Sequence, residues 1–109
     1  MSAPPARTRA THLATLADAL CRDGAFPPGI VIIRGSTASV QVDTGSLVQD
    51  MQLVEELNRR LGFTPGLTEV GGPGRGHGWY EYGAEGEYQV LRIAVWMLLP
   101  PVDRAEPPR

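Results

Sequence analysis

The chain has 109 residues, 42% of them hydrophobic and 20% charged, which suits one domain with a modest core. No run approaches the roughly 20 apolar residues of a membrane-spanning helix, which excludes a transmembrane protein. The single cysteine excludes a disulfide-stapled scaffold, and a net charge of −2 gives no global attraction to polyanions.

The ten basic residues are all arginine. Arginine suits bidentate anion recognition. Here the arginines are scattered among abundant Ala, Gly and Pro, which reads as the codon usage of a GC-rich genome.

In chain order, residues 1–9 are proline-bearing and aperiodic and read as a flexible tail. Two early arginines are not followed by an apolar run or a small-residue cleavage site, so a secretory leader is not expected and the location is read as cytoplasmic. From Thr11 to Arg22 the spacing of Leu13, Leu16, Ala17 and Leu20 predicts an amphipathic helix, with Thr11 as N-cap and Gly24 past its end. Cys21 lies beside that stripe with no nearby base, as a structural thiol does.

Pro27-Pro28-Gly29 breaks the chain. Ile30–Ile33 and Ala38–Asp43 then form a predicted hairpin. A turn at Ser36-Thr37 sets Ile33 opposite Val40 and Val31 opposite Val42. The other face carries Ile30, Ile32, Arg34, Ser39, Gln41 and Asp43.

Ser46-Leu-Val-Gln49 has the form of a capping box, and Gly62 that of a C′ glycine, so a helix is predicted to end at Leu61. Leu47, Met51, Val54, Leu57 and Leu61 make its apolar stripe. Glu55 with Arg59 and Glu56 with Arg60 are i,i+4 pairs on its wet side. Residues 63–78 are rich in glycine and proline and aperiodic, and read as a long loop.

Trp79–Tyr82 and Glu87–Leu98 form a second predicted hairpin with its tip at Ala84-Glu85. One face holds Tyr80, Tyr82, Leu91, Ile93, Val95 and Met97. The other holds Trp79, Glu81, Tyr88, Val90, Arg92, Ala94 and Trp96. Pro100-Pro101 stops the last strand, and residues 100–109 read as a second flexible tail.

The expected fold is therefore α+β. It is a single domain over residues 10–99, in α-β-β-α-β-β order. A four-stranded, mainly antiparallel sheet carries both helices on one face, because each helix has a single apolar stripe.

Ser39-Val-Gln-Val-Asp43 leads into a helix ending Leu57-Asn-Arg-Arg-Leu-Gly62. With the closing strand Gly86-Glu-Tyr-Gln-Val-Leu-Arg-Ile-Ala-Val-Trp96, this resembles small α+β proteins of actinobacteria and their phages or mobile elements. The resemblance spans residues 28–98. It implies a host background and carries no known activity.

The most informative feature is the sheet face away from the helices. Ile30, Ile32, Arg34, Trp79, Tyr88, Val90, Arg92 and Trp96 form its candidate interaction face. Tryptophan, tyrosine and arginine are the types that anchor interfaces, and monomers seldom expose large apolar patches. A homodimer is the first expectation and a foreign protein, such as a host or element protein, the second. The opposing reading has the N-terminal tail or a helix cover this face as ordinary core.

The rival function is a small nucleic-acid-binding module that stacks bases on Trp and Tyr, with Arg34 and Arg92 nearby. Asp43 and Glu81 oppose those arginines, so nucleic acid is the weaker partner.

Gly71–Gly78 lacks the lysine and Ser/Thr of a phosphate loop and is read as a connector. Arg75 and His77 are its candidate binding residues, through a backbone anion nest. His12, His77 and Cys21 lack metal-ligand spacing, and no Ser or Cys stands in a nucleophile motif. Glu81, Glu85 and Glu87 read as solvated charges rather than an acid–base pair. No catalytic, cofactor or metal residue is therefore expected, and no small molecule is indicated.

Overall fold

The structure, a computed structural model, describes residues 6–21, 23–70 and 78–101. The elements are α1 (Ala6–Leu20), β1 (Gly29–Arg34), β2 (Thr37–Val42), α2 (Leu47–Leu61), β3 (Gly66–Val70), β4 (Trp79–Tyr88) and β5 (Leu91–Leu99). The fold is α+β in one domain, as expected.

The sheet differs from the expected four-stranded, mainly antiparallel one. It has five strands in the order β1-β2-β5-β4-β3, and β2 pairs with β5 in parallel. A parallel pair needs a long crossover, which α2 and the β3–β4 hairpin supply between them. The added strand, β3, arises inside the segment expected to be a loop. It pairs with residues 79–83 of β4 and so satisfies backbone groups that β4 would otherwise present at an open edge.

The capping signals of α2 act in part as the sequence predicts: the hydroxyl arm of the capping box and the C′ glycine form, while the Ser46 N–H donates to the Thr44 hydroxyl at 3.3 Å in place of the Gln49 side chain. The Ser46 side chain accepts from the Gln49 backbone N–H at 3.3 Å, and Gly62 closes the helix in the left-handed region at φ 85°. Asp50 adds a second lock at this entry. Its buried Oδ1 accepts from the Thr44 backbone N–H at 2.7 Å and from the Thr44 hydroxyl.

The buried stripe is Asp50, Val54, Leu57, Asn58 and Leu61, while Leu47 and Met51 are exposed. Glu55 turns toward the sheet, where its carboxylate accepts from the Tyr82 hydroxyl at 2.9 Å.

α1 begins at Ala6, so Thr11 is not its N-cap, and residues 6–9, expected in a tail, are helical. The rest of both expected tails, apart from Pro100 and Pro101, lies outside the described residues. The buried residues of α1 are His12, Leu16, Ala19 and Leu20, and Leu13 points outward. The helix ends at Leu20, and beyond it Asp23 and Gly24 both adopt positive φ.

The first hairpin turns at Gly35-Ser36, two residues from the expected register, with Val31 opposite Val40 and Ile33 opposite Ala38. A two-residue slip preserves parity, so the faces are those expected. The second hairpin turns at Gln89-Val90, with Gln89 at φ 55°, and not at Ala84-Glu85. Tyr88 pairs with Leu91 and Tyr82 with Met97.

Both helices lie on the face formed by Ala38, Val40, Val42, Leu91, Ile93, Val95 and Met97, all buried. Each valine, leucine, isoleucine or methionine among them, fully withdrawn from water, contributes about 1.5–3 kcal/mol.

Candidate interaction face

The pairing registers define the opposite, open face as rows running across the strands. One row is Arg34, Thr37, Arg92 and Glu87. The next is Ile32, Ser39, Ala94 and Glu85. The third is Ile30, Gln41, Trp96, Gly83 and Gly66. Beyond these lie Leu98, Glu81 and Thr68, and at the far corner Trp79 and Val70. Side chains alternate along each strand, so these residues share one face.

Ile30, Ile32, Arg34, Trp79, Arg92 and Trp96 therefore stand where the alternation puts them. Ile30 and Ile32 are 55% and 46% exposed, so no described element covers the β1 side of the face.

Two expected members are corrected. Tyr88 packs against the helix-side core. It ends β4 instead of starting β5, and moving across the turn reverses which face its side chain meets. Val90 occupies the turn itself and is exposed there. The same displacement brings Glu87 onto the open face, and the sequence reading missed it. Arg75 and His77 lie outside the described residues.

The face is not flat. Gly66, Gly83 and Ala94 floor a trough of about 460 Å³, bordered by Trp96, Glu81 and Glu85. A Cβ on Gly83 would lie 2.2 Å from the Val95 carbonyl oxygen and 2.6 Å from Trp96 Cα, so the floor of the trough admits no side chain there. Trp96 is fixed in orientation, because its indole N–H donates to the Ser39 hydroxyl at 3.0 Å.

Charge is unevenly spread. Arg34 stands alone on β1, while Glu81, Glu85 and Glu87 follow at alternate positions on β4. Glu85 accepts from Arg92 Nε at 2.9 Å, with both side chains about half exposed. Such a solvated pair adds at most about 1 kcal/mol. Its effect here is to engage the more central arginine. The face thus carries two arginines against three carboxylates, with one arginine already paired.

Elsewhere the chemistry is sparse. Among the described residues no three His, Cys, Asp or Glu side chains gather as a metal site would require. No described helix is long and apolar enough to cross a membrane. Cys21 is half-buried at the end of α1. His12 Nδ1 and Asn58 Oδ1 are buried without a hydrogen-bond partner among the described residues.

Comparison with protein-family models, curated proteins and solved structures finds no match to this chain.

Proposed function

We propose that the protein is a non-enzymatic association module whose open sheet face binds a second copy of the same chain. One observation carries this reading. Both helices pack on one face of the five-stranded sheet, and the other face bears Ile30 and Ile32, exposed with no described element over them, together with the half-buried Trp96. Burial of an exposed aliphatic ridge beside a fixed indole favours association.

The nucleic-acid reading is weaker on electrostatic grounds. A surface that tracks phosphates needs an excess of unpaired cations. This face has more carboxylates than arginines, and Arg92 is committed to Glu85. A module of this kind acts by bringing copies together, and a host or mobile-element protein is the alternative partner.

The test is solution mass by light scattering across a concentration series, with tryptophan emission recorded alongside. Both tryptophans lie on the open face, so their emission reports on it directly. The expected result is a monomer–dimer equilibrium in which emission shifts to the blue as dimer forms. Ile32→Asp should abolish the dimer without lowering the melting temperature, and Trp79→Ala with Trp96→Ala should abolish it as well. A monomer with red-shifted emission at every concentration refutes self-association and directs the search to a foreign protein.

A further inference from the structure

We propose that the second copy docks with β1 of each protomer lying across β4 of the other. The two-fold axis then runs parallel to the strands, between β2 and β5. This orientation rests on the self-association proposed above and specifies its geometry.

The strand order alone limits the choices. In a face-to-face pair whose strands are aligned, the two-fold axis lies in the plane of the interface, close to either across the strands or along them. An axis across the strands stacks each strand on its own copy. It brings β4 onto β4 and sets Glu81, Glu85 and Glu87 of one protomer against the same three carboxylates of its partner. Like charges so placed oppose association.

An axis along the strands, between β2 and β5, exchanges β1 with β4 and β2 with β5. Each row then meets the same row of the partner. Arg34 comes to face Glu87. Ile30 comes to face Gly83, where the trough floor carries no side chain.

Ile32 comes to face Glu85, whose carboxylate Arg92 already engages. The Arg34–Glu87 and Ile30–Gly83 pairs are therefore what favour this arrangement. Arg34 and Glu87 have no hydrogen bond or ion pair among the described residues, so each is available to the other across the interface. The isolated cation lies at one lateral side of the face and the carboxylates at the other, which is what a self-complementary surface requires. The ridge of Ile30 and Ile32 and the glycine-floored trough are separated in the same sense.

Aligned sheets pack about 10 Å apart and rotated by roughly 30°. At β1, about 7 Å from the axis on a strand spacing of about 4.8 Å, that rotation displaces a residue by only about half a row, within reach of an arginine. Four overlapping strands of six residues cover roughly 400 Å² in projection. This is small for a stable interface, so the dimer belongs to the weak class, with dissociation in the micromolar range or above.

Charge exchange tests the orientation. Arg34→Glu and Glu87→Arg are made separately, and dimerisation of each is measured by sedimentation or light scattering up to millimolar concentration. Melting temperatures confirm that both variants fold. By symmetry each substitution reverses two contacts per dimer, so each variant alone should dimerise at least about tenfold more weakly than the native chain.

An equimolar mixture of the two restores both opposite-charge contacts in the heterodimer and should regain near-native affinity. The chain carrying both substitutions should regain it as well. If the native chain dimerises and both variants do so equally well, the orientation is overturned while self-association stands. If the variants weaken and neither the mixture nor the double substitution recovers, the orientation is again overturned. A native chain that stays monomeric throughout removes the self-association reading, and this orientation with it.

Discussion

Asn58 offers the sharpest test of how the helix layer is held to the sheet. Its side chain is wholly buried between α2 and β5. Nδ2 donates to the Val54 carbonyl at 2.9 Å, one turn back, and to the Val95 carbonyl at 3.1 Å across the interface. Oδ1 meets no donor among the described residues. The residue therefore contributes one bridging bond and carries one desolvated acceptor.

In Asn58→Ala, two hydrogen bonds of about 1 kcal/mol each are lost, and the Val95 carbonyl loses its helix-side donor at a further cost of about 1–3 kcal/mol. A cavity the size of an amide group adds about 0.5–1 kcal/mol. Removing the orphaned Oδ1 returns about 1–3 kcal/mol. These terms sum to a loss of about 0.5–5 kcal/mol centred near 3 kcal/mol, the centre being a fall of roughly 12–24 °C in melting temperature for a domain of this size.

Asn58→Leu loses the same bonds but leaves no cavity and buries apolar surface, so it should fall within about 1 kcal/mol of the native chain. Asn58→Asp sets an acceptor-only carboxylate against two carbonyls and should be the least stable, by more than about 3 kcal/mol. Urea and thermal unfolding of the three variants give the order. A leucine variant as damaged as the aspartate would refute the reasoning, because it would mean that Oδ1 is satisfied and the whole amide is needed.

Three further outcomes are expected. Gly86→Ala should destabilise by about 1–3 kcal/mol, because its Cβ would lie 2.6 Å from the Phe63 ring, whereas Gly66→Ala, with open space around it, should cost little; paired urea titrations separate the two. Ser46→Ala removes the acceptor for the Gln49 N–H and should cost about 1 kcal/mol, read in the same assay.

The third is a pH dependence. Burial, together with the hydrogen bond and negative charge of Glu55, raises the pKa of the Tyr82 phenol above its ordinary 10.0. The folded chain therefore holds this proton after the unfolded chain has released it. Its contribution is fully present below pH 10 and is lost as pH rises through the folded value. Comparing urea midpoints at pH 9 and pH 11 should show a fall that is smaller in Tyr82→Phe, and an equal fall in both chains would remove Tyr82 as its source.

Local chemistry determined α2, from the Ser46 cap to Gly62, because a capping hydroxyl and a left-handed glycine act within one turn of the backbone. Alternation likewise determined which side of the first hairpin faces the helices, and it survived a register error because the slip was of two residues. The same parity put Arg34, Trp79, Arg92 and Trp96 together on the open face.

Only the tertiary structure decided the second hairpin. Gly83-Ala84-Glu85-Gly86 has turn chemistry, yet the chain runs straight through it. These glycines answer to neighbours distant in sequence, the Phe63 ring over Gly86 and Trp96 with the Val95 carbonyl against Gly83. Tyr88 consequently faces the core and Glu87 the open side. β3 exists because β4 offers it an edge, and β5 lies beside β2 because the crossover returns there. None of these has a local signature, since each depends on contacts between segments that the sequence leaves far apart.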